Sequence, residues 1–148
     1  YSSNLINIAK NLLKDSQFLV SEARLMPSFQ KNFDLIFSHS VFHYFPTKDY
    51  AFEVIKKAYK ILKYGGRFCL LDINDKKYEN ESLQMRIDSF GSDKEYKKSY
   101  EGLDHLFICK KELEFNLVKL GFKEIEFFEP VTKGNFIRQY RFNVMAKK

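Results

Sequence analysis

Residues 33–73 constrain the fold of this chain more than any other stretch. They open on a near-continuous apolar run (Phe33, Leu35, Ile36, Phe37) and pass a polar-aromatic corner, residues 38–45, that holds Ser38, His39, Ser40, His43 and Tyr44. After Pro46-Thr47, Ala51, Val54, Ile55, Ala58 and Leu62 recur at helical spacing, and Lys56, Lys57, Lys60 and Lys63 load the later turns, where the helix dipole favours cations. Gly65 stands where a left-handed residue can close that helix, and residues 67–73 form a second apolar run. Short runs of this kind indicate strands covered on both faces. With a helix between them, they read as parallel neighbours joined by a crossover.

The rest of the chain extends that pattern. Ser2 and Ser3 are N-cap candidates for a helix whose Leu5, Ile8, Ala9, Leu12 and Leu13 suggest one buried face. Residues 17–21 read as a short strand, and Met26-Pro27 breaks any continuation. Residues 74–105 are polar and charged, with a weak helical trace at Leu83, Ile87 and Phe90. A connection of this length is a functional lid or a disordered segment, and residues 74–106 are expected to cap a substrate. A helix over 110–120 ends at Gly121, residues 122–129 form a strand, and Tyr140, Phe142, Val144 and Ala146 alternate with polar positions as a last strand. The expectation is a single α/β domain with a mostly parallel sheet and a C-terminal antiparallel hairpin.

Composition narrows the function. A chain of 148 residues with 45% hydrophobic content builds one core, and no apolar run approaches a membrane span. Cys69 and Cys109 form no CxxC pair and read as reduced thiols of a cytoplasmic protein. The net charge of +6 comes from lysines interspersed with acids, which suits a solvated exterior better than a nucleic-acid surface. His39 and His43 are spaced i, i+4, but at a strand-to-helix corner without an acidic third ligand, so no metal is expected. Oligomeric state is open, a dimer included.

In this order the residues resemble the class I S-adenosylmethionine-dependent methyltransferases, whose sheet is Rossmann-like. Tyr1-Ser2-Ser3 is similar to the stretch after the family's second strand, and Ser21-Glu22-Ala23 to the acidic pair after the third. Phe33-Asp34-Leu35-Ile36 resembles the opening of the fourth strand. Leu62-Lys63-Tyr64-Gly65-Gly66-Arg67 resembles "LKPGG" before the fifth, with Tyr64 in place of proline, and Gly121-Phe122 the "GF" turn into the last hairpin. The family's glycine-rich loop and the acidic residue ending its second strand have no counterpart. The chain opens on Tyr1 rather than Met, so the expectation is a partial domain lacking the first two strands of the order 3-2-1-4-5-7-6. That would leave a gap of roughly 14 Å between strands three and four, and this chain alone would bind the cofactor poorly.

The resemblance also implies roles. Tyr1 and Ser2 would lie beside the ribose of S-adenosylmethionine. The Glu22 carboxylate would accept from the adenine amino group while the Ala23 backbone N–H donates to the ring. Ser38, His39 and Ser40 end a buried strand, where open α/β sheets hold ligands, and would receive the methionine amino group. Tyr44 would offer an aromatic face to the sulfonium. His43 is a candidate base, Asp72 a candidate base or substrate-orienting group, and His105 a candidate catalytic group reaching in from the lid. Each has a plainer reading as well: a surface Glu, ordinary loop polarity, a packed aromatic corner with a satisfied histidine, an Asp capping a turn. The function implied is methyl transfer to O or N of a small molecule. The alternatives are a non-catalytic Rossmann-like module for an acidic partner or nucleic acid, and a dinucleotide-binding domain. The last is disfavoured because LKYGG follows a helix and precedes a strand.

Overall fold

A computed structural model of the chain describes residues 2–26, 33–131 and 137–148. Tyr1, Pro27 and residues 132–135 of the turn expected from the sequence lie outside the described residues. Four strands form one sheet in the order β1-β2-β4-β3, with β1 Phe33–His39, β2 Leu62–Asn74, β3 Lys123–Phe128 and β4 Arg141–Lys147. β1 and β2 run parallel, with Leu35 opposite Arg67 and His39 opposite Leu71. β4 pairs antiparallel with both β2 and β3, so among the described residues the sheet is mixed and open. The strand–helix–strand unit and the terminal hairpin stand as read from the sequence.

Helix α1 covers Ser3–Leu12 and α2 covers Lys48–Ile61. α2 starts where the Thr47 hydroxyl accepts from the Tyr50 N–H at 3.1 Å and buries Tyr50, Ala51, Val54, Ile55 and Ala58. It ends at Ile61, one residue before Leu62 caps it, so Gly65 is not its closing residue. The left-handed φ of +75° at Gly65 instead kinks the start of β2, where its N–H donates to the Lys148 carbonyl at 2.8 Å. Helices α3 (Glu79–Ser89), α4 (Asp93–Ser99) and α5 (Lys110–Leu120) come next. Gly121, at φ +104°, ends α5 as the sequence indicates, and a Cβ there would meet the Tyr59 hydroxyl at 2.6 Å. The core joins Ile55 and Leu62 to Leu70, Ile73, Leu113, Leu117, Phe142 and Val144.

Three expectations are corrected. Residues 17–21 form no strand, because no described strand lies beside them to complete a ladder. α1 is a helix, but it buries none of its residues, and Leu5, Ile8 and Leu12 face outward. β1 is not covered on both faces: it ends the sheet, and Leu35 and Phe37 are 53% and 65% exposed. Residues 74–106 hold two helices and a single turn of 3-10 helix, more structure than the weak apolar trace suggested. The inward face of α3 is polar, with Ser82 and Arg86 buried four residues apart. No helix among the described residues is long and apolar enough to cross a membrane.

Candidate functional site

The carboxyl ends of the two parallel strands meet at Ser40 and Asp72. Ser40 follows β1, and its N–H donates to the Leu71 carbonyl at 3.2 Å. Asp72 lies in a bulge of β2: Leu70 faces Val144 and Ile73 faces Phe142, so Leu71 and Asp72 oppose Asn143 alone. The N–H that the bulge frees donates to Asn143 Oδ1 at 2.8 Å. Both residues have left-handed backbones, at φ +55° and +65°. For residues with a side chain this costs on the order of 1–3 kcal/mol each, and such strain gathers at functional sites. The Ser40 hydroxyl donates to Asp72 Oδ2 at 2.5 Å, and the same oxygen accepts from Arg141 Nη1 at the start of β4. Arg141 is buried and the Asp72 side chain is only 13% exposed, so each charge depends on the other.

His43 sits above this ion pair, 3% exposed, in a 3-10 turn at Phe42–Tyr44. Its Nδ1 lies 3.3 Å from the Asp72 carbonyl oxygen. An oxygen there can only accept, so Nδ1 carries the proton and the lone pair is left on Nε2. Burial lowers the His43 pKa to about 4, aided by the Arg141 charge and opposed by Asp72. The ring is therefore neutral at pH 7. Tyr44 packs on it at 4.2 Å between centroids, meets the His105 ring at 5.6 Å and remains 45% exposed.

His105 closes the cluster from the far side. Its ring lies 6.0 Å from His43 and nearly parallel to it, held by the Leu106 N–H donating to the His43 carbonyl at 2.9 Å. Arg86 Nη1 donates to His105 Nε2 at 3.2 Å, which places the imidazole proton on Nδ1, facing the Tyr96 hydroxyl at 3.3 Å. Burial lowers the His105 pKa to about 4, with the Arg86 charge second. Arg141 also lines a cavity of about 670 Å³ that it shares with Lys76, Lys77, Lys110 and Lys111.

The structure thus brings together Ser40, His43, Tyr44, Asp72 and His105. Ser38 is half-buried on β1 and His39 exposed at its end, the latter 3.5 Å from the Ser40 hydroxyl through Nδ1. Glu22 and Ala23 lie apart, against α2, where the Arg24 N–H donates to the Tyr50 hydroxyl at 3.2 Å and Arg24 Nε approaches the Glu22 carboxylate at 3.9 Å. The Ser2 hydroxyl caps α1 by accepting from the Leu5 N–H at 3.3 Å. Arg86, Arg141 and Asn143 escaped the sequence reading. Arg141 and Asn143 looked like the outward positions of an alternating strand, yet both are buried. Among the described residues no group of three or more His, Cys, Asp or Glu is placed to hold a metal.

Comparisons extend this geometry. A family model described as a methyltransferase domain matches residues 2–128. No curated protein matches the chain by sequence. Among solved structures, a protein of Bordetella parapertussis described as a possible exported protein is 15% identical at a TM-score of 0.69 and covers 100% of this chain. The chain spans 51% of that protein's length. An S-adenosylmethionine-dependent methyltransferase of Thermotoga maritima, a possible histamine N-methyltransferase, is 20% identical at a TM-score of 0.64, covering 99% of this chain and 70% of its own. The N-methyltransferase NodS of Bradyrhizobium japonicum, in complex with S-adenosylhomocysteine, is 14% identical at 0.64, covering 99% and 63%. At these identities the likeness is one of fold, and the fold is the Rossmann-like sheet of methyltransferases.

Proposed function

The chain belongs to the family of methyltransferase domains, and from that premise we propose that the corner at Ser40, His43, Tyr44 and Asp72 transfers a methyl group from S-adenosylmethionine to O or N of a small molecule. The observation that carries this reading is the pair of left-handed residues, Ser40 and Asp72, hydrogen-bonded across the carboxyl ends of adjacent parallel strands. Such strand ends are where open α/β sheets place ligands.

The residues present suit the cofactor's groups. Ser38 and Ser40 offer oxygen acceptors to an ammonium, the exposed part of the Tyr44 ring attracts a sulfonium, and the Glu22 carboxylate with the Ala23 N–H matches the polar edge of an adenine. Ser2 keeps its hydroxyl hydrogen for a ribose oxygen, beside Tyr1. When bound, S-adenosylmethionine supplies a methyl group already activated by the sulfonium charge. The protein then has three tasks: to align, to exclude water, and to take a proton. Alignment can be worth on the order of 7–11 kcal/mol. The proton goes to His43 Nε2, since Nδ1 is held by the Asp72 carbonyl. Asp72, whose Oδ2 already accepts from Ser40 and Arg141, is a positioning residue rather than a base. His105, whose Nε2 lone pair is taken by Arg86, anchors residues 74–106 over the corner as a cap.

Titration of the ¹⁵N-labelled chain with S-adenosylhomocysteine, carried to high concentration because weak binding is expected of this chain alone, tests the location: the amides of Ser38, Ser40, Tyr44 and Asp72 should shift, and shifts confined elsewhere, or none at saturation of the solution, would remove the assignment. His43→Gln should then lower methyl transfer from S-adenosylmethionine by about 10²–10⁴-fold while leaving those shifts in place. An undiminished rate would exclude His43 as the proton acceptor.

A further inference from the structure

Arg86 is the feature of the molecule that the proposed reaction does not use. It lies on α3, 5% exposed, and no described carboxylate pairs with it. Its Nη1 is engaged by His105, while Nε and Nη2 are buried without any hydrogen-bond partner. These two atoms form one edge of the planar guanidinium. Their N–H bonds run side by side, the geometry that takes both oxygens of a carboxylate at once. A buried guanidinium with that edge empty is costly, because desolvated donors without acceptors lose their hydration for nothing.

The surroundings carry the same sign. Arg86 acts electrostatically on His43, His105 and Arg141, which places all four within one field. Both imidazoles are neutral at pH 7, since their pKa values are lowered to about 4. Asp72 faces the field as a carboxylate and is already matched by Arg141. Asp93 and Asp104 act on Tyr96 from exposed positions at the rim. One guanidinium charge in the interior therefore stays unmatched. Two more buried donors lack partners among the described residues, Ser82 Oγ one turn before Arg86 on the same face of α3 and Arg141 Nε, and the buried acceptor Asn74 Oδ1 is likewise unpaired.

We propose that Nε and Nη2 of Arg86 bind a carboxylate on the methyl acceptor, so that the substrate is a small carboxylic acid whose anionic end lies under α3 while its O or N faces His43. The inference rests on the methyl-transfer reading of the same corner. A monoanion supplies the counter-charge that Arg86 lacks, since Asp72 is already matched by Arg141. Arg86 is then a residue that determines specificity.

The Nε–H signal of Arg86, assigned in the wild-type chain by correlation through its own side chain to the backbone, reports on this edge directly. Formate, formamide and inorganic phosphate would each be titrated at constant ionic strength into the ¹⁵N-labelled chain. The expected result is a saturable shift with formate, little or none with formamide, and binding about tenfold or more weaker in Arg86→Lys, which keeps the charge and loses the paired donors. No response to formate, an equal response to formamide, or a response to phosphate alone would overturn the proposal. The wild-type titration decides even if Arg86→Lys fails to fold. Formate binding that persists after S-adenosylhomocysteine has shifted the Ser38–Tyr44 amides to saturation assigns the edge to the acceptor; displacement by S-adenosylhomocysteine would assign it to the cofactor and overturn the inference. Shifts at Ser38–Tyr44 with a silent Arg86 would leave methyl transfer standing and remove only the carboxylate. A formate response without any effect of S-adenosylhomocysteine on those amides would leave an anion site at Arg86 but remove the methyl-transfer reading, and with it the assignment to a methyl acceptor.

Discussion

β1 and β4 are both seven residues long and both rich in apolar side chains, yet they lie in opposite environments. β4 runs between β2 and β3, and Phe142, Val144 and Ala146 are fully buried. Among the described residues β1 pairs on one edge only, and Leu35 and Phe37 are largely open to solvent. Apolar pattern determines which residues can be buried; the number of neighbouring elements determines which are. The largest effect that sharpens this contrast is on stability. Phe142→Ala should cost about 3–5 kcal/mol in urea unfolding, and Phe37→Ala within about 0.5 kcal/mol. Similar losses would mean that β1 is covered in solution after all.

The ionic pairs divide in the same way. Asp34 on β1 and Lys63 meet at 2.7 Å, but both are exposed, whereas Arg141 is buried and Asp72 largely covered. Asp72→Asn leaves a buried guanidinium facing a neutral amide and should cost about 3 kcal/mol. Asp34→Asn should cost less than about 1 kcal/mol and lose even that in high salt. If salt erased both differences, Asp72 and Arg141 would have to be hydrated, and the dry corner proposed for methyl transfer would be lost with them.

A third contrast separates the buried histidines from the unfolded chain. His43 and His105 titrate near 4 when folded and near 6.5 when unfolded. Between those values the unfolded state binds more protons, so stability rises with pH through the window and is lost as pH falls from about 6.5 towards 4. Each imidazole contributes at most about 1.4 kcal/mol per pH unit there, less for the partly exposed His105. His43→Gln should flatten the slope of urea-derived stability between pH 6 and 4.5. An unchanged slope would show that this ring takes up its proton equally readily in the folded and unfolded chain.

The legible parts of the fold are those that local sequence decides. α5 ends at Gly121 because its cap lies within one turn. The β1–α2–β2 unit was readable because short apolar runs flank a stretch of helical period within one segment. The strand read at residues 17–21 was not, since a strand exists only with a neighbour. α3 was nearly invisible because the residues it buries are Ser82 and Arg86, so an apolar period cannot reveal its inner face. In the site, His43, Asp72 and the corner at Ser40 could be found from their place at strand ends. Arg141 reaches Asp72 across 69 positions of chain, and no local pattern announces a partner at that distance.

Glu22 supplies the smallest effect on stability and the sharpest test of the exposed side. It lies against α2, half-exposed, with Arg24 and Tyr50 as neighbours and no contact to the Ser40–Asp72 corner among the described residues. Its loss to Ala should change stability by less than about 1 kcal/mol, as for any exposed ion pair. If its carboxylate accepts from the adenine amino group, the same substitution should weaken S-adenosylhomocysteine binding about tenfold, the scale of one hydrogen bond to a charged group. Glu22→Gln should recover part of that loss through its remaining carbonyl oxygen. Unchanged affinity in both variants would make Glu22 a surface carboxylate and confine the cofactor's contacts to the corner, where the buried side of the molecule begins.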